Sequence, residues 1–189
     1  MAILRAIKLT SAIAALVLFF MPWIDIQCSG KSLATQTGIQ TITGMATPSS
    51  EIEGIMKNDR RESLGSSVLV ATALLATGLG IACLLMALFN GNSKLDALGS
   101  ILCVLALMCL LTQLIQGFPI KQQLIAKISM DQASNPMGMS DSLGFMMAAN
   151  IQTVILPGFI ATCSLLGIPS LLMVSILFIR PEPQKLKER

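Results

Sequence analysis

Five cysteines, Cys28, Cys83, Cys103, Cys109 and Cys163, are the strongest nucleophiles this chain could offer. A thiol attacks as its thiolate, and it is activated by a neighbouring base or cation. The usual base is histidine, and the chain contains none. That absence also removes the commonest metal ligand and the usual haem ligand. Four of the cysteines fall inside long apolar runs and read as small packing residues. Cys28 lies outside those runs and has no second cysteine on its side with which to pair. It is either a small buried residue of a hairpin or the site of a bond to a partner or lipid. Met137 and Met139 form a Met-x-Met pair within a methionine-rich stretch that includes Met130, Met146 and Met147. Thioethers can hold Cu(I), but with no cysteine or histidine beside them adaptable packing is the default. HExxH, P-loop and dinucleotide fingerprints are missing. "TGLGIA" has the glycines of a phosphate loop but sits inside an unbroken apolar run. No catalytic residue, no cofactor-binding residue and no metal ligand is therefore expected, and the chain reads as non-enzymatic.

The elements that carry these residues are set by hydropathy. Of 189 residues, 53% are hydrophobic and 12% charged, where a soluble domain carries about a quarter charged residues. Mean hydropathy is +0.75. Four runs predict membrane spans: 5–23, 67–89, 96–116 and 154–179. The last three meet the roughly 20 residues needed to cross the hydrocarbon. The first has a basic start, Arg5 and Lys8, like a signal peptide. The bulky Phe19, Phe20, Met21, Pro22 and Trp23 offer no small-residue cleavage site, so it reads as an uncleaved anchor. Pro169 should remove a hydrogen bond from the fourth helix, with Ser164 or small neighbours satisfying the freed carbonyl.

Four spans put both termini on one side, and cations choose the side. Arg5, Lys8, Lys94, Arg180, Lys185, Lys187 and Arg189 would share the side of the 90–95 turn. Lys31, Lys57, Arg60, Arg61, Lys121 and Lys127 are spread over two much longer loops, 24–66 and 117–153. Cationic density places the termini in the cytoplasm and the long loops in the periplasm. The tail 180–189 is basic and proline-broken, either lying at anionic lipid or solvated.

In the first loop, Ile24, Ile26 and Cys28 alternate with Asp25 and Gln27. "SGK" turns, and alternation resumes from Leu33 through Thr35, Thr37, Ile39 and Thr41 to Thr43. This predicts a β-hairpin, which needs a surface to pack on: the other outer loop or a partner protein. Trp23 reads as an anchor at the headgroup level, with ligand stacking as the alternative. A short capped helix is expected around 51–57, beside a mixed charge cluster, "KNDRRE". In the second loop Ile120, Leu124, Ile125 and Ile128 share one face of an amphipathic helix at the interface.

The clearest pattern inside the spans is small residues at four-residue spacing: Ser67 with Ala71, Ala76 with Gly80, Gly78 with Ala82, Gly99 with Cys103, and Gly158 with Thr162. Such spacing lets helix backbones approach closely. The expected packing residues are Ala76, Gly78, Gly80, Ala82, Gly99 and Gly158. They pack within the bundle, or against another subunit. No ionisable residue is expected at mid-depth, which argues against an ion or proton carrier.

"MPW", "QC" and "ATQTG" after a first membrane helix resemble a group of small four-span bacterial inner-membrane proteins with no assigned activity. That resemblance covers 1–44 and the span pattern, and it implies an inner-membrane location. The layout is also similar to claudins in topology. Their Gly-Leu-Trp and cysteine pair are not in this loop, so no residue role carries over. The expected object is an all-α, four-helix membrane bundle with a small periplasmic hairpin and an amphipathic periplasmic helix. Its expected role is that of an accessory or scaffold subunit of a larger complex. Its contacts would run through the packing residues above and, outside, through Trp23, Cys28, Thr35, Gln36, Thr37 and Gly38. Other membrane subunits and lipids are the expected partners, and nucleic acid is not. A small channel or lipid-binding protein is the alternative. A channel could draw its lining only from residues such as Thr72, Thr77, Ser100, Thr112, Gln113, Thr162, Ser164 and Ser175.

Overall fold

A computed structural model describes residues 2–48, 65–119 and 151–179. The expected 51–57 helix, the charge cluster, the amphipathic helix, the Met-x-Met pair and the basic tail lie outside the described residues. The described chain is mostly helical, with a small antiparallel sheet at one end.

Helix α1, Ala2–Leu18, is shorter at its end than the predicted 5–23 span. Pro22 has no N–H and disfavours helical backbone at Met21. The chain tightens into i→i−3 bonds from Phe19, Phe20 and Met21, then leaves as strand β1, Pro22–Cys28. Ser29 and Gly30, with φ of 51° and 80°, make the turn that right-twisted hairpins favour. Strand β2 follows as Lys31–Thr37.

The strand then stops, although the alternation predicts that it runs on to Thr43. Residues Gly38–Thr43 form helix α2. Thr37 Oγ1 accepts from the Gln40 N–H at 3.1 Å, and Gln40 Oε1 accepts from the Thr37 N–H at 2.9 Å. This reciprocal capping box nucleates a helix where β-branched residues alone would favour a strand. Gly44 ends it in the left-handed conformation, φ 73°. Thr37→Ala should lower stability by about 1 kcal/mol, read as a drop in melting temperature in detergent. A two-residue strand β3, Thr47–Pro48, closes one sheet edge.

Helices α3, Val68–Asn90, and α4, Ser93–Gln116, form a hairpin. Their turn is tighter than the predicted 90–95: Gly91 caps α3 at φ 65°, and Asn92 Oδ1 accepts from the Lys94 N–H at 2.9 Å. The predicted fourth span is also corrected. Its first residues belong to strand β4, Ile151–Ile155, and helix α5 starts at Pro157 and runs to Ile179, proline being well suited to a first helical position. Ser164 does not serve the carbonyl freed by Pro169; it donates to Ile160 O at 2.9 Å. Helices α3, α4 and α5 (over Pro157–Ser175) are long and apolar enough to cross a membrane.

The sheet order is β3-β2-β1-β4. The hairpin's packing surface comes partly from the second loop, since β4 pairs antiparallel with β1 from Ile24↔Ile155 to Cys28↔Ile151. Trp23, Ile24, Asp25 and Ile26 are all buried, so β1 is covered on both faces. Around the bundle the order is α1-α3-α4-α5, which makes α1 and α4 diagonal. The start of α1 and the Gly91 turn share one end, tied by Arg5. The sheet and α2 occupy the other.

Candidate functional site: the sheet cap and the small-residue faces

The cap is built where α1, α2, β1 and α5 meet. Trp23, expected at the headgroup level, is instead 0% exposed. Its ring lies 4.7 Å from Phe19 and 5.3 Å from Phe159 in an edge-on contact. Phe159 in turn meets Phe118 at 5.7 Å. The indole Nε1 donates to the Leu18 carbonyl at 2.8 Å, a second bond to an oxygen that also accepts from the Met21 N–H at 3.1 Å. A strand residue directly after a helix can fold its ring back over that helix, and Pro22 sets that reversal.

Gly38 is placed against this ring. A Cβ there would lie 2.7 Å from Trp23 Cζ2 and 2.9 Å from the Phe19 carbonyl. Gln36 is fully buried and donates through Nε2 to Met45 O at 2.7 Å and Gln40 O at 3.3 Å. Its Oε1 has no hydrogen-bond partner among the described residues, and we have no physical account of that. Thr37 is the helix cap, and Thr35 is half-buried opposite Asp25 and Thr47. Cys28 is half-buried at the hairpin tip, paired across with Lys31 and Ile151. Of the six outer residues expected to make contacts, Trp23, Gln36 and Gly38 are therefore internal supports of the cap. Cys28, Thr35 and Thr37 keep accessible surface.

Asp25, a residue the sequence pattern left on the hairpin's polar face, is 8% exposed. Ser32 Oγ donates to Oδ1 at 2.6 Å and Gln27 Nε2 to Oδ2 at 2.7 Å. Both carboxylate oxygens are engaged, so the group braces the hairpin. The i, i+2 spacing to Gln27 is readable in the sequence; the cross-hairpin Ser32 needs the register.

The small residues divide into two sets. Ala76 and Gly80 face the bundle, with a Cβ at Gly80 placed 3.2 Å from Gly99 O and 3.3 Å from Cys103 Sγ. Gly99 reciprocates: its Cβ would sit 2.7 Å from Leu84 Cγ and 3.0 Å from Gly80 O. Gly158 packs on β1, where its Cβ would be 2.5 Å from Pro22 O. Gly78 and Ala82 face outward, and nothing lies within 4 Å of a Cβ at Gly78. A spacing of four keeps residues on one face, but 78/82 and 76/80 lie on faces about 200° apart, two residues at 100° each.

The polar residues of the spans also divide. Thr72, Ser164 and Ser175 are exposed, and each donates to the carbonyl four residues earlier. Thr77 and Thr162 are buried and do the same. Ser67 Oγ donates to Gln113 Oε1 in a short bond, and Gln113 Nε2 donates to Gly117 O at 2.7 Å. That pair joins α3 to α4 at the sheet end. Between the ends the interior is occupied by Leu84, Leu110 and Leu166, all 0% exposed.

Two further features escaped sequence reasoning. Lys8, expected as an edge cation, is 1% exposed and paired with Asp96. An open apolar groove of about 420 Å³ runs along the elbow between α1 and α5, lined by Leu18, Met21, Pro22, Leu156, Pro157, Gly158 and Ala161. The five cysteines form no disulfide among the described residues. Comparison with protein-family models, curated proteins and solved structures finds no match.

Proposed function

We propose that this chain is a non-enzymatic accessory or scaffold subunit of a larger membrane assembly. It crosses the bacterial inner membrane four times, with both termini in the cytoplasm. Helix α1 has 17 residues and is about 25 Å long, short of the roughly 30 Å hydrocarbon core. It packs along α3 and α5, and the exposed Phe20 and Met21 extend its apolar surface. Arg5 and Lys94 lie at the end that carries the Gly91 turn, in keeping with a cytoplasmic end.

The observation that carries this reading is the division of small residues on α3. Gly80 already closes against Gly99, whereas Gly78 and Ala82 face outward among Leu75, Leu79 and Met86. A second helix can approach that face closely. Purification in mild detergent with mass spectrometry of what accompanies the chain tests it. Stoichiometric larger subunits are expected. Gly78→Leu should release them while the chain keeps its melting temperature and elution volume. A clean monomer or homo-oligomer would sink the proposal. Gly80→Leu is the wrong test, because its side chain would enter the α3–α4 contact.

The groove at the α1–α5 elbow favours lipid binding as the second reading. It lies between α1 and α5, whereas the lateral cleft expected of a lipid binder would lie between the third and fourth predicted spans, α4 and α5. A lipid retained stoichiometrically, without protein subunits, would bring that reading forward.

A further inference from the structure

The first half of α1 is held to the bundle in a different way from its second half. Its large apolar side chains, Ile3, Leu4 and Ile7, are 77%, 36% and 43% exposed. Its cations turn inward. Arg5 donates to the carbonyls of Ala87 and Gly91 at 3.2 and 3.0 Å. These belong to the carbonyl end of α3, where a positive charge is favoured. Lys8 reaches across the diagonal to α4 and donates to Asp96 Oδ2 at 3.0 Å and Ser100 Oγ at 3.2 Å. The other end of α1 is fixed by the Phe19–Trp23 contact and by the Ile39 N–H on Phe19 O, at 3.0 Å.

We propose that Lys8 and Asp96 form an electrostatic latch, which holds the first half of α1 closed against the α3–α4 hairpin. When Asp96 loses its charge and Lys8 keeps its own, that half swings away while the sheet end stays fixed. A buried ammonium is tolerated while it is paired and becomes strongly unfavourable once its partner is removed. Lysine's long stem then lets the charge reach headgroups or water, provided the helix that carries it moves. Few apolar contacts oppose that movement. Ile3, Leu4 and Ile7 are already exposed, Leu9 is the one large apolar side chain of that half buried in the core, and the Arg5–Gly91 bond is exposed and correspondingly weak. The closed pair is itself only partly satisfied, since Asp96 Oδ1 is buried with no partner among the described residues. An incompletely satisfied buried pair suits a contact that must open.

The test uses the full chain in lipid nanodiscs, with spin labels at Leu4→Cys and Lys94→Cys and the native cysteines replaced by alanine. Both labelled positions are exposed, one on each side of the latch. Pulsed electron spin resonance reads the distance between them. Emission of Trp23, the only tryptophan, reports on the cap. Asp96→Asn should add a longer distance population that the parent lacks, with the Trp23 emission maximum unchanged. Lys8→Met combined with Asp96→Leu should return the distance to the parent value. An unchanged distance in Asp96→Asn overturns the latch. So does a longer distance accompanied by a red shift of Trp23, which is global unfolding. A double variant as open as Asp96→Asn also overturns it, because an unpaired Lys8 charge would then not be what drives the opening.

Discussion

Trp23→Ala should cost about 3–5 kcal/mol, the range for truncating a fully buried large aromatic. The ring touches Phe19 and Phe159 and lies over Gly38. Its removal therefore opens a cavity shared by α1, α2 and α5. The Leu18 carbonyl also loses the 2.8 Å bond from Nε1 but keeps that from the Met21 N–H, so the lost hydrogen bond adds about 1 kcal/mol. Trp23→Phe keeps most of the apolar contact and loses only the donor, so it should cost less than half as much. Thermal denaturation in detergent, followed by loss of the monodisperse elution peak, separates the two variants. If Trp23→Ala melted with the parent, the aromatic cluster would not be what joins the sheet to the helices.

The legible part of this fold is the part set by long-range composition or by strict short-range chemistry. The three uncharged or nearly uncharged runs become α3, α4 and α5 within a few residues, because hydrocarbon length imposes a minimum and Ser67, Gly91, Asn92 and Pro157 mark the ends. The first hairpin strand is legible from alternation, and its turn from Ser29-Gly30. The second strand is over-extended because Thr37-Gly38-Ile39-Gln40 carries two signals. Threonine and isoleucine at alternate positions favour a strand, while Thr-x-x-Gln is a capping box. The box prevails once Gly38 can lie under Trp23, a contact no local window contains.

What stays illegible is pairing across distance. Lys8 and Asp96 are 88 positions apart, and each alone looks like a charge at a membrane edge. Only the bundle order makes them a buried pair. The β4 strand is hidden for a related reason: "IQTVILP" is apolar enough to pass for the start of a span, and β1 recruits it as a strand. Small residues at four-residue spacing show that close approach is possible, but not on which face. That is why Gly78 and Gly80 look equivalent in sequence and are opposite in structure.

Gly99→Leu should be strongly disruptive at the α3–α4 contact, at about 3 kcal/mol or more, the upper range for overpacking a close contact. Even its first carbon would lie 2.7 Å from Leu84 Cγ and 3.0 Å from the Gly80 carbonyl. Leu84 is 0% exposed and has no room to retreat, and the Gly80 carbonyl is helix backbone. Replacing glycine in a helix recovers up to about 1 kcal/mol of intrinsic propensity, which is too little to offset the clash. The same gain decides the sign at Gly78, where nothing stands within 4 Å. Gly78→Ala should therefore leave the isolated chain as stable as the parent or slightly more so. Melting curves of the two variants in one detergent test the pair together. If Gly99→Leu melted no lower than Gly78→Ala, α3 and α4 would not be in backbone contact at Gly80 and Gly99. The outward face at Gly78 would then lose its claim to be the free one.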